Sequence, residues 1–238
     1  MMKKSVLYAF ITAMLTAVSC TNDIPANVTG DTSGNTSEDT SGSGSGDLSG
    51  NSGKISIVAS IASQTRTPQL GSDGSGSFQK GDKMTLCVTG GAAPVVTDYA
   101  YEVDFLKWPD FGLSEEVSQV TFSACYPTQK VEKDGTFEFN SFNSSYGDLL
   151  LAAAQPVEVG TSEAVSLTFR HALHRLNLEI QPGKGYTEDD LSQLSCIFSA
   201  KTTCVVDAVK GSVKEVKDEQ GSLTVTAAKA SFYLVPQA

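Results

Sequence analysis

Apolar positions in this chain recur mostly at a spacing of two, in short runs separated by Gly, Asn, Asp and Pro. That is the period of a strand with one face buried. Lys54 to Ser63 alternates Ile55, Ile57, Ala59 and Ile61 and reads as a first strand. Gln64 to Pro68 and the Gly/Ser-rich residues up to Ser77 read as an exposed loop, because Pro68 cannot donate to a ladder. Lys83 to Thr89 sets Met84, Leu86 and Val88 on one side. Tyr99, Tyr101, Val103 and Phe105 alternate up to Trp108-Pro109, and Ser114 to Ser118 suits one helical turn. Val117 to Tyr126 is a strong strand closed by Pro127. Asp134-Gly135 is a tight-turn signal before Thr136 to Phe139, and Asp148 to Ala154 is an apolar run ended by Gln155-Pro156.

The densest stretch is Val165 to Ile180. It alternates Val165, Leu167, Phe169 and later Leu176, Leu178, Ile180, but the phase slips between Leu173 and Leu176. A period of two requires a bulge, a kink or a helical turn there. A short helix over Thr187 to Leu194 follows, with Thr187 and Asp190 spaced as a capping pair. Short strands are expected at 195–200, 204–209, 223–228 and 230–235. Many short strands without long helices predict an all-β sandwich or barrel. Two sandwiches fit the length better than one: 54–160 and 161–238, the second ending on Phe232 to Pro236 and expected to be short of strands.

Before residue 54 the pattern changes twice. Residues 1–19 have the parts of an export signal: Lys3 and Lys4, an apolar run from Val6 to Val18, and small residues at Ala17 and Ser19 before Cys20. The apolar run is too short to span a bilayer comfortably. From Cys20 to Gly53 the chain is rich in Gly, Ser, Thr, Asn and Asp and has no Lys or Arg. Such a segment buries too little apolar surface to offset its entropy, and is predicted to be a disordered tether. As a flexible coil it reaches about 30 Å.

Composition narrows the function. The formal net charge is -10 and the sequence pI about 4.6, with no basic stripe, which excludes nucleic acid as a partner. Five acids and two lysines lie before residue 54, so 22 acids and 15 bases remain beyond it and the folded part is itself acidic. His171 and His174 are three apart, a spacing that would present both on one helix face toward zinc; a packing role for His171 is the stronger reading. Cys87, Cys125, Cys196 and Cys204 lack the C-x-x-C spacing of a metal or redox site and allow three disulfide pairings. No nucleophile elbow or phosphate loop is present. The expectation is no enzyme and no cofactor.

Six motifs, in order, carry a resemblance. They are small residues before Cys20; Ile55 to Ile61 followed by Thr65-Arg66-Thr67; Phe78 with Gly81-Asp82; Val120 to Pro127; Asp148-Leu149-Leu150 with Ala152; and Val165-x-Leu167-x-Phe169-x-His171-Ala172-Leu173-x-x-Leu176. Together they resemble the fimbrillin-like lipoproteins of the Bacteroidia, subunits of type V pili. The resemblance implies two transthyretin-like Greek-key β-sandwich domains, with Phe169, His171, Leu173 and Leu176 as a structural motif. It implies lipidation at Cys20 and anchoring in the outer membrane. It further implies protease processing after Arg66, loss of the first strand, and partnership with other fimbrillin subunits by donor-strand exchange. The expected function is therefore a structural or adhesive surface subunit or pilus anchor. The second reading is a tethered sandwich that captures glycan or host protein without polymerising, with Tyr99, Tyr101, Trp108, Tyr146 and Tyr186 as candidate contacts.

Overall fold

The computed structural model describes residues 53–62, 77–143 and 147–237. In chain order the strands among them are β1 Lys54–Ile55, β2 Ile57–Ile61, β3 Lys83–Thr89, β4 Val95–Ala100, β5 Leu106–Lys107, β6 Gln119–Tyr126, β7 Thr136–Asn140, β8 Leu150–Glu158, β9 Val165–His171, β10 His174–Glu179, β11 Cys196–Lys201, β12 Thr203–Asp207, β13 Ser212–Val216, β14 Gln220–Val225 and β15 Lys229–Leu234. Among the described residues, helix is limited to 3-10 turns at Trp108–Phe111 and Glu188–Gln193. The all-β expectation holds.

Six strands form the main sheet in the order β2-β9-β8-β6-β3-β4. Its central strands are covered on both faces. Met84, Leu86, Val88, Val120, Phe122 and Ala124 point into a first core that also holds Trp108, Phe111 and Phe169. The opposite face carries the small or polar Thr85, Cys87, Ser123 and Cys125, each about 1 % exposed. A three-stranded sheet, β13-β12-β7, supplies Phe137, Phe139, Cys204 and Val206 to the second core, which these cysteines share. Buried hydroxyls need partners. Ser123 Oγ donates to the Ala208 carbonyl at 2.7 Å, and the Gln129 N–H donates to Thr85 Oγ1 at 3.0 Å. The polar alternation of β3 and β6 thus marks a satisfied interface between layers.

The boundary expected at 160 does not coincide with a break in the sheets. Val165 to Ile61-facing Phe169 continue the first sheet, with β9 antiparallel to β8 and parallel to β2. Conversely, β7 leaves the N-terminal half to pair with β12. The physical reason is that Leu167 and Phe169, both fully buried, complete the first core. The chain changes sheets one step later, at Ala172-Leu173, just before the hydrophobic phase slips. Leu173 is buried in the second core, and β10 then pairs with β15.

Three local expectations change. The strand over Tyr99 to Phe105 stops at Ala100, and Glu102 takes a positive φ of 55° in the turn that follows. A 3-10 turn forms at Trp108–Phe111, with proline near its start, and at 114–118 the expected turn is a single one, closed by the Val117 N–H donating to the Ser114 carbonyl at 3.0 Å. Finally, β8 runs through Pro156, because β9 pairs with β8 only along Leu150–Ala152 and asks no ladder bond of the proline. The expected capping pair forms: the Asp190 carboxylate accepts the Thr187 N–H at 2.7 Å and its hydroxyl at 2.9 Å, which holds that carboxyl below its usual range.

Candidate functional site

The first strand is divided between two sheets. β1 pairs antiparallel with β5, Lys54 opposite Lys107 and Ile55 opposite Leu106. One residue later β2 pairs parallel with β9, from Ile57 opposite Val165 to Ile61 opposite Phe169. Flanking bonds extend the hold. The Trp108 N–H donates to the Gly53 carbonyl at 2.9 Å, Val165 N–H to the Ser56 carbonyl at 2.8 Å, and Ala62 N–H to the Phe169 carbonyl at 2.8 Å. Ile55 and Ile57 are 4 % and 6 % exposed, Ala59 and Ile61 pack on the same core, and Val58 faces outward at 48 %. The segment is therefore an outermost strand whose every second side chain completes the core. The edge of β9 lies directly beneath it.

The motif residues behave differently from one another. Phe169 is fully buried, its ring 4.7 Å from that of Phe78. Leu173 is buried and Leu176 half-buried, with Leu176 opposite Phe232. His171 closes β9, and its Nδ1 lies 2.6 Å from the Asp148 carboxylate; His174 opens β10 opposite Leu234. The three-residue spacing thus lies across a strand break, not on a helix face. Asp148 belonged to a separate motif in the sequence, and nothing linear in the chain linked it to His171. Cys20 and Arg66 lie outside the described residues, as does Tyr146. Of the other candidate surface aromatics, Tyr99 and Trp108 are core residues, Tyr101 packs on the core, and only Tyr186 is exposed.

Cys87, Cys125, Cys196 and Cys204 are free thiols. Cys87 stands opposite Ser123 and Cys125 opposite Thr85, so the two neighbours are offset by two residues. Burial, with Cys87 beside it, pushes the Cys125 thiol up to about 12; burial is also the main cause that takes Cys87 and Cys204 to about 11. The thiolate is the reactive form. In a Cys20→Ser variant at pH 8, iodoacetamide is expected to modify half-buried Cys196 and to spare the other three until the protein is unfolded. A peptide map showing Cys125 alkylated in the native state would contradict this packing.

A family model described as fimbrillin-like matches residues 65–238. The chain belongs to the fimbrillin-like family. Membership gives it its class, a pilus-type or adhesion surface protein. No curated protein matches the chain. Among solved structures, a candidate cell adhesion protein from Bacteroides thetaiotaomicron is similar over 77 % of this chain and 76 % of its own, with 19 % identity and a TM-score of 0.50. Candidate cell adhesion proteins from Bacteroides uniformis and Bacteroides ovatus are similar at 19 % and 13 % identity, with TM-scores of 0.47. The first covers 68 % of this chain and 70 % of its own, the second 79 % of each. At such identities the first of these likenesses speaks for the fold alone.

Proposed function

We propose that this fimbrillin-like chain reaches the outer membrane as a lipoprotein, held through Cys20 until cleavage after Arg66 releases the folded part, which then joins a pilus by β-strand exchange. The carrying observation is the placement of Lys54–Ile61 as an edge strand lining the core, five residues before Arg66. Cleavage after Arg66 frees that strand at its C-terminal end. Its departure uncovers the β9 edge and the apolar positions filled by Ile55 and Ile57. A strand from another subunit restores both the ladder and the burial. Several acyl chains on Cys20 give stable anchoring where one chain gives only marginal binding. The five acids between Cys20 and residue 54 would repel an anionic lipid surface.

The glycan- or host-protein-binding reading has weaker support, since most of its aromatic candidates are spent in the core. Two measurements test the proposal. Radiolabelled palmitate is expected to enter the wild-type chain and not Cys20→Ser, which should leave the membrane fraction; equal labelling of both would remove the anchor. Limited digestion of the folded protein with an arginine-specific protease is expected to cut after Arg66 first. Resistance at Arg66 while the fold is intact would remove the exchange step.

A further inference from the structure

The turn between β4 and β5 is built around one residue in a left-handed conformation. Glu102 holds a left-handed conformation at φ 55°, which is costly for a residue with a side chain. The Asp104 carboxylate accepts the Ala100 N–H at 2.7 Å, and the Val103 and Asp104 N–H groups both donate to the Ala100 carbonyl, at 3.1 and 2.9 Å. The result is that Phe105 stands out from the surface, 66 % exposed. Its ring has a cation over it: the Lys54 ammonium, 4.0 Å from the ring centre. The ladder gives no reason for that lysine. Lys54 is the direct cross-strand partner of Lys107, and like charges so placed repel.

We propose that the groove occupied by residues 53–62 recognises strands by sequence. It reads a basic residue against Phe105, branched apolar residues at the positions of Ile55, Ile57 and Ile61, and a small residue at that of Ala59. Its partner is an extended segment of another subunit with that pattern. The inference rests on the strand-exchange reading above and adds which strand is accepted. Ile55 and Ile57 enter nearly closed positions, and Ala59 stands opposite fully buried Leu167. Ser56, Val58 and Ser60 face outward and are not read. Backbone recognition is two-sided, antiparallel to β5 and then parallel to β9, which fixes the direction and register of the incoming strand. The contact between Phe105 and the basic residue then sets that register at one end, where a slip by two residues would otherwise keep the apolar phase.

The test uses the full chain with a site-specific protease sequence placed within residues 67–76. After the cut, exchange of the bound segment for a fluorescent peptide of residues 53–62 is followed by anisotropy. Unlabelled peptides compete. The 53–62 peptide is expected to displace the label; its Lys54→Ala form should bind about two- to five-fold more weakly, and its Ile57→Asp form more than about a hundredfold more weakly. In the Phe105→Ala protein, the 53–62 and Lys54→Ala peptides should bind equally. Failure of the labelled peptide to enter at any temperature below unfolding would overturn the proposal. So would equal binding of the Ile57→Asp peptide, an absent lysine preference, or a lysine preference that survives Phe105→Ala. Because the cut is engineered and the readout is a peptide, these outcomes do not depend on cleavage at Arg66 or on polymer formation.

Discussion

Gly211→Ala is expected to destabilise the folded chain by about 3 kcal/mol or more, a large part of the roughly 5–15 kcal/mol that holds an ordinary domain. A Cβ at this position would lie 2.0 Å from the Ala152 carbonyl oxygen, 2.7 Å from its carbon and 2.9 Å from the Ala153 Cα. All three are backbone atoms of β8 and cannot swing aside. Gly211 also has a φ of +63°, which adds the cost of left-handed backbone for any L residue. The turn it belongs to joins β12 to β13 and is tied to the main sheet. Lys210 offers its carbonyl to the Ala154 N–H at 3.2 Å, and Ala208 offers its own to Ser123 Oγ at 2.7 Å. Relieving the clash means lifting the turn and breaking those bonds, so the damage spreads to the contact between the two layers. Urea unfolding measures it. Gly183→Ala is the control: it meets nothing within 4 Å and should change stability by less than about 0.5 kcal/mol. Equal effects of the two substitutions would contradict the close approach of turn and sheet.

Phe169→Ala is expected to cost about 3–5 kcal/mol. The side chain is fully buried. Its ring centre lies 4.7 Å from that of Phe78, the planes tilted by 56°, and the Phe78 ring centre lies 5.3 Å from that of Tyr126 and 6.1 Å from that of Tyr101. It is also the Cα partner of Ile61. The loss should therefore be felt twice, in the urea midpoint and in faster hydrogen exchange along β2. Ile197→Ala, at a position 72 % exposed, should shift the midpoint by no more than about 0.5 kcal/mol. A midpoint unchanged by Phe169→Ala would show that the aromatic cluster is not what seats the edge strand.

The strands were legible wherever large apolar side chains mark one face. Lys54 to Ile61 and Lys83 to Thr89 kept a clean period of two, and the structure places both as strands. The second face of β3 and β6 was harder to read. Thr85, Cys87, Ser123 and Cys125 look like solvent-facing residues, yet they are buried because a second layer covers them and supplies hydrogen-bond partners. Long-range pairing was out of reach. Nothing near Phe137 and Phe139 says that β7 pairs with β12, some 65 residues further on. The phase slip after Leu173 was visible, but a slip alone does not say that the chain changes sheets; that depends on which core still lacks Leu167 and Phe169. The site was half legible. Ile55 and Ile57 were marked by alternation, whereas β5 and Phe105 were hidden, since the apparent alternation from Tyr99 to Phe105 is interrupted by the left-handed Glu102.

These results describe a fimbrillin-like protein whose first strand lies at the edge of the main sheet and completes its core. The most direct test is a blot of cells that natively express the chain, with samples held in SDS at moderate heat or boiled. Strand exchange predicts a ladder of high-mass species, lacking residues 54–66, that collapses to a single band on boiling. A single band at all temperatures, still carrying residues 54–66, would contradict it.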